Sequence, residues 1–293
     1  MKILFVNNWM HRKNEHALMS YKNIQFTTIK HVHELDNYNL CDFDCVYSPC
    51  LEIDVSKYPN TKFIFGPHFS VFPQERLKIT KGNNSVYIQP GEWVKQDWSN
   101  NIQYKYITND LIIKTLPFGV DTNKYNKIKP LIERQQVFIY FKQRNPSELE
   151  IIKNYLDKKN IIYKIFNYNE SYEENDYLNY LHNSSYGIWV GRHESQGFAL
   201  QEALTCDVPL LVWNVKSMNQ EYKTNYDDIP ASTIPYWDER CGEYFTNIDD
   251  LDELHNKLLN NIHNYKPREF ILENLSTEVC ENKLFDLINN INI

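Results

Sequence analysis

Short apolar runs alternate with helix-patterned stretches along almost the whole chain, and that alternation is the tightest constraint on its fold. Residues 3–6, 24–29, 43–47, 63–65, 86–89 and 111–116 read as strands. Four of them end at turn-forming residues: Ser48-Pro49, Gly66-Pro67, Pro90-Gly91 and Pro117-Phe118-Gly119. Residues 92–98 suit a short helix. The second half alternates more clearly. Strands are expected at 137–141, 161–166, 188–190 and 209–213. Helices are expected from Pro146 onward and over 173–182, 197–206, 251–262 and 278–291. Runs that are apolar on both faces, separated by helices, predict parallel sheets with right-handed crossovers. The stretch 121–136 is polar, carries Pro130 and has little periodicity, so it reads as a link. The expected organisation is an α/β domain over 1–122, a linker over 123–136, a second α/β domain over 137–275 and a C-terminal helix over 276–293. Ligands of open parallel sheets bind at the carboxyl ends of the strands. Two such domains are expected to face each other across a cleft.

Composition narrows the class. The chain has 293 residues, 42% of them hydrophobic, which is enough for a packed core. It carries 31 basic and 38 acidic side chains, a net charge of −7. The first 125 residues hold 14 basic and 12 acidic groups, and no long basic stripe appears anywhere. A nucleic-acid partner is therefore not expected. No apolar run approaches the ~18 residues of a membrane span, and the N-terminal run 3–6 falls short of the about 7 apolar residues a signal peptide needs. The expectation is a cytoplasmic protein without a membrane span. Six cysteines include no Cys-x-x-Cys pair, and the spacing of Cys41, Cys45 and Cys50 matches no zinc pattern. No metal site is expected.

The most informative stretch runs from Gly191 to Leu204: Gly-Arg-His-Glu-Ser-Gln-Gly-Phe-Ala-Leu-Gln-Glu-Ala-Leu. It follows an expected strand and opens an expected helix. Backbone N–H groups near Gly197 and Phe198 would lack intrahelical partners, and with the helix dipole they form a site for a phosphate. Glu194 and Glu202 stand eight residues apart. With Glu194 just ahead of the helix, both carboxylates can reach one ligand and accept paired hydroxyl donors, as a sugar or ribose offers. Alternatively they are two solvated glutamates on a surface helix. Lys142 and Arg144 end the strand 137–141, where two cations suit a diphosphate and the charge growing on a leaving group. His68 ends a strand at Gly66-Pro67. His193 either lines the site or supports its loop. His31 and His33 lie on a polar stretch and read as structural.

Glu-x7-Glu within Glu-Ser-x-Gly-Phe-x-x-x-Glu-Ala-Leu resembles the retaining GT-B glycosyltransferases of the group 1 type. Pro117-Phe118-Gly119-Val120-Asp121 and Asp207-Val208-Pro209-Leu210-Leu211 resemble two further motifs of that family, in the same order. The resemblance implies two Rossmann-like domains and transfer of a sugar, with retention, from a nucleotide-diphosphate sugar to a hydroxyl acceptor such as a glycan. It implies that Glu194 contacts the donor sugar and Glu202 the ribose. The segment Ser195, Gln196, Gly197, Phe198 and Ala199 would meet the sugar and diphosphate, and His68 the donor sugar. The family carries an Arg near position 142 and a Lys about five residues on. Here Lys142 and Ser147 occupy those places, and Arg144 is taken as the substitute. The loop 7–11 lacks the glycines common after the family's first strand. No cofactor is implied, and no Asp-x-Asp motif is required, so transfer is expected to be metal-independent. A nucleotide-sugar epimerase, a DNA glucosyltransferase or a catalytically silent binding module of the same fold are the alternatives.

Overall fold

Six of the apolar runs pair side by side, every pair parallel. They are β1 (Lys2–Val6), β2 (Gln25–Ile29), β3 (Cys45–Ser48), β4 (Phe63–Phe65), β5 (Ser85–Gln89) and β6 (Ile113–Thr115). Their order in the sheet is β2-β1-β3-β4-β5-β6. The four inner strands are buried on both faces, which explains their unbroken apolar character. The outer two are only partly buried and correspondingly mixed in sequence. Leu4, Val6, Val46, Phe63, Phe65 and Tyr87 from the sheet pack with Val94 and Trp98 of the helix Glu92–Asn100.

Five strands build a second sheet: β7 (Gln136–Lys142), β8 (Tyr163–Asn167), β9 (Ser184–Gly191), β10 (Leu210–Trp213) and β11 (Gly242–Phe245). Their order is β11-β10-β9-β7-β8, again all parallel. The first crossover helix, Pro146–Lys158, shows how local sequence sets a boundary. Asn145 caps it reciprocally with Glu148, and Pro146 sits in the first turn, where its missing N–H costs nothing. Ile152 and Leu156 of that helix pack on Val137, Ile139 and Phe141.

The computed structural model describes residues 1–68, 71–170 and 172–292. The chain divides into two units, residues 1–119 with 277–293, and residues 120–276. Two α/β units, each on a parallel sheet, are the expected fold class. The final helix, Thr277–Asn289, belongs to the first unit and buries Cys280, Leu284 and Ile288 there. Its Glu281 accepts a hydrogen bond from the Asn23 backbone N–H at 2.6 Å, and Lys62 Nζ donates to the Ile288 carbonyl at 2.8 Å.

The stretch 121–136, expected as a link, packs inside the second unit. Tyr125 and Arg134 are buried, and Arg134 donates to the carbonyls of Lys129 and Cys206. Elements not expected from the sequence include the helices Arg12–Met19, Lys105–Thr108 and Pro267–Asn274, and strand β11. The expected strand at 188–190 begins earlier, at Ser184, because Ser184, Ser185 and Gly187 interrupt its apolar signature. No helix among the described residues is long and apolar enough to cross a membrane.

Candidate functional site

Parallel pairing sets the carboxyl ends of β7 and β9 level, with Lys142 opposite Gly191. The segment leaving β9 therefore starts beside Lys142. Glu194 reaches back to it, and Lys142 Nζ donates to Glu194 Oε1 at 2.6 Å, with each side chain 13% exposed. Lys142 Nζ also sits 4.5 Å from the centroid of the Tyr168 ring. Burial pushes the Glu194 carboxyl up, but the Lys142 ammonium and the Arg192 guanidinium outweigh it and hold Glu194 below the usual carboxylate range. The carboxylate is ionised at neutral pH and locally neutralised by one lysine.

The loop carrying Glu194 is held from both sides. Arg192 N donates to the Lys142 carbonyl, and Glu194 N donates to the Ser232 carbonyl, both at 2.9 Å. Asn214, just past β10, accepts from Thr233 N at 2.8 Å and from Ser232 Oγ at 3.1 Å. Thr233 Oγ1 closes the frame on the Gly191 carbonyl at 3.2 Å. Gly197 then turns the chain into the helix Phe198–Thr205 with φ +80°, a left-handed conformation that favours glycine. Among the described residues no side chain caps that helix, and its first turn holds no acidic group. Gln196 and Gln201 bond each other side chain to side chain at 3.0 Å and lock the turn from within.

Glu202 lies buried on this helix, against the Tyr125 hydroxyl. Burial and the Glu202 carboxylate push the Tyr125 phenol far above its ordinary value. Burial raises the Tyr140 phenol, and the charges of Glu194 and Glu202 add to it. Ser195, Phe198 and Ala199 are partly exposed, and Gly197 and Gln196 are buried.

Arg144 is a correction. It was expected to meet a diphosphate, but its guanidinium is fully buried and occupied. It forks onto both Glu148 oxygens and donates to the carbonyls of Gly191 and Trp213, each at 3.2 Å. The cause is the capping box: Glu148 faces back across the first turn and draws Arg144 into the protein. Arg144 ties the ends of β9 and β10 together. His193 takes the supporting role. Its Nε2 lies 3.3 Å from Arg192 and 3.5 Å from Glu221, with Tyr226 edge-on to the ring. Glu221, which sequence reasoning missed, is buried against Arg192 and His193, and burial raises its carboxyl. Asn214, Ser232 and Thr233 were missed too, because no motif marks residues that hold a loop through single hydrogen bonds.

Burial drops His193 to about 3 and His255 to about 4. His255 sits between the hydroxyls of Tyr155 and Tyr186 at 3.0 and 2.9 Å. Both rings are neutral in the folded unit, whereas an unfolded His takes up its proton near its ordinary value of about 6.5. The unfolded chain therefore binds more protons as pH falls below 6.5, and stability falls with it until the folded values are reached. The melting temperature of the second unit is expected to drop by about 5 °C between pH 7 and pH 5.5. Calorimetry at matched ionic strength checks this. A constant melting temperature over that range would mean that these rings do not resist protonation.

In the first unit His68 follows a cis Gly66-Pro67 bond at the carboxyl end of β4. Gly66 has φ +84°, and a Cβ there would meet the Ile88 carbonyl at 2.6 Å. The His68 N–H donates to the Tyr87 hydroxyl at 3.2 Å. Its side chain is 3% exposed, with Nε2 3.5 Å from Oε1 of Glu52, itself 7% exposed. Burial lowers His68 to about 4 and raises Glu52. Among the described residues no group of three or more His, Cys, Asp or Glu could hold a metal ion.

No family model and no curated protein matches the sequence. Solved structures do match in fold. The lipopolysaccharide outer core galactosyltransferase WaaB aligns at 14% identity and TM-score 0.56, over 99% of each chain. An α-glucosyltransferase in complex with UDP and a 13-mer DNA containing an HMU base aligns at 12% identity and TM-score 0.52, over 99% of each chain. TarM aligns at 17% identity and TM-score 0.55, over 84% of this chain. The chain spans 56% of TarM. The fold is the GT-B fold of these proteins.

Proposed function

We propose that this chain is a glycosyltransferase that moves a sugar from a nucleotide-diphosphate sugar to a hydroxyl acceptor, with retention and without a metal ion. The observation that carries the reading is the part-buried Lys142–Glu194 pair, with Glu194 three residues ahead of the uncapped helix start at Gly197. A ligand with both a diphosphate and a sugar would use each member of that pair. Its phosphate oxygens take the Lys142 ammonium and the free amides of the helix start. Glu194, released from Lys142, accepts hydrogen bonds from sugar hydroxyls. Glu202 accepts from the ribose. The resemblance in the Glu-x7-Glu segment and the GT-B fold support the same assignment.

The bond from the anomeric carbon to the diphosphate breaks first. Lys142 and the helix N-terminus neutralise the departing oxygen, and Glu194 stabilises the positive charge on the sugar. The acceptor oxygen then bonds to the anomeric carbon on the same face, and its proton passes to the departing phosphate oxygen. Arg144 takes no part.

The test is a thermal-shift screen with UDP-, GDP-, ADP- and dTDP-glucose, each beside its bare diphosphate. A ligand near 100 times its Kd adds about 2.7 kcal/mol of stability, so one nucleotide class should raise the melting temperature by several degrees. EDTA should leave that shift and the transfer rate unchanged. No shift with any of the four would overturn the reading, and loss of activity in EDTA would overturn its metal independence.

A further inference from the structure

Two carboxylates and two cations meet beside the carboxyl ends of β7 and β9: Glu194 with Lys142 at 2.6 Å, and Glu221 with Arg192 at 3.4 Å. Glu194 is faced by Lys142 from β7, by Arg192 and His193 from its own loop, by Glu221 from the segment after β10, and by Tyr140. Burial lowers His193 and raises the Tyr140 phenol, so both stay neutral. A diphosphate that draws Lys142 to its oxygens therefore leaves Arg192 as the cation for Glu194 among these groups. Without a cation, burial would drive a proton onto Glu194, and a neutral acid cannot stabilise a sugar that becomes positive. Arg192 is 26% exposed and could itself swing to a phosphate. It is held instead. Its backbone N–H donates to the Lys142 carbonyl at 2.9 Å and its Nη1 to the His193 carbonyl at 3.1 Å. Glu221, 7% exposed, lies against that same Nη1. The Glu221 loop is pinned in turn, with Tyr222 N donating to the Gln143 carbonyl at 2.9 Å and Thr224 Oγ1 to the Glu221 carbonyl at 2.9 Å. A carboxylate buried this far is costly unless it keeps a cation beside it, so Glu221 resists the loss of Arg192.

We propose that Arg192 is the counter-charge to Glu194 while a diphosphate occupies Lys142, and that Glu221 is the positioning residue that keeps Arg192 there. The inference rests on the transferase reading, in which Lys142 turns to the phosphates. The two cations then divide the work. Lys142 meets the leaving group, and Arg192 preserves the carboxylate that meets the sugar. With Glu221 neutralised, the guanidinium would join Lys142 on the diphosphate. The nucleotide would be gripped more tightly, and Glu194 would take up a proton.

The experiment is titration calorimetry of the full chain with bare UDP, GDP, ADP and dTDP at pH 6. Repeating it in buffers of different ionisation enthalpy counts the protons bound together with the ligand. Protonation of the diphosphate itself is common to all variants and cancels in the differences. Arg192→Gln should take up about one proton more than wild type on binding, at an affinity within about threefold. Glu221→Gln should also take up the extra proton, and should bind the diphosphate several-fold more tightly. Adding Glu194→Gln to either variant should abolish the extra proton, which assigns it to Glu194. A merely structural role for Glu221 would change affinity or melting temperature and leave this count unmoved. If Glu221→Gln does not fold, Arg192→Gln carries the test. Equal proton counts in wild type and Arg192→Gln, or an extra proton that survives Glu194→Gln, overturn the proposal. So does a loss of affinity of about tenfold in Arg192→Gln, which would put the guanidinium on the phosphate. In each of these results wild type still binds a diphosphate, and the transferase reading stands. Failure of wild type to bind any of the four overturns that reading and the proposal with it.

Discussion

Glu194→Gln is expected to lower turnover by about 100- to 1,000-fold while leaving affinity for the bare nucleotide diphosphate within a few-fold of wild type. The argument starts from the pair. Glu194 is held ionised by Lys142 at 2.6 Å and by Arg192. Glutamine keeps the length and the acceptor oxygen but carries no charge. It can still touch a sugar hydroxyl in the ground state, so donor binding survives. It cannot stabilise the positive charge that grows at the anomeric carbon, so the loss falls on the chemical step. Lys142, no longer neutralised, remains available to the diphosphate. Steady-state kinetics with the donor identified by thermal shift, together with calorimetry for its diphosphate, separate the two effects. A kcat within threefold of wild type would remove Glu194 from the reaction.

Arg144→Ala should show the opposite pattern. Its guanidinium contacts no open surface and bonds Glu148 and the carbonyls that end β9 and β10. Removing it strands two carbonyls and a capping carboxylate. Breaking a buried ion pair from one side costs about 3–5 kcal/mol, which lowers the melting temperature of a unit this size by roughly 10 °C or more. Nucleotide affinity of the folded variant, measured well below that temperature, should be close to wild type. A tenfold loss of affinity without a change in melting temperature would return Arg144 to the diphosphate.

These two arginine and glutamate positions show what the sequence carries and what it does not. The place of Glu194 in the fold was legible because it is set locally: a strand, a glycine that must adopt positive φ and a helix follow one another within a dozen residues. Arg144 was misread because its partners are distant in the chain, at 191 and 213, and because Glu148 reads equally well as a plain helix cap. Glu221 and Glu52 carry no motif, and only the packing of separate loops brings them to His193 and His68. For the fold, strands buried on both faces were evident from apolar runs, as in β1, β4 and β10. Edge strand β11, Gly-Glu-Tyr-Phe, was not, because half of it faces water and its four residues offer no period. The helix Arg12–Met19 buries only Asn14, Ala17 and Leu18, too small a stripe to stand out.

The chain enters its second unit at Val120 and leaves it at Ser276, and these two residues form a parallel bridge, with Val120 N donating to the Leu275 carbonyl at 2.9 Å. The helix after that exit then packs back on the first unit with one buried face. Ribosomal synthesis therefore leaves the first unit without its last helix until the entire intervening stretch has emerged. During that interval the surfaces destined to meet Cys280, Leu284 and Ile288 stand open to solvent, and they are where a nascent chain of this kind is most exposed to chaperones and to misassociation.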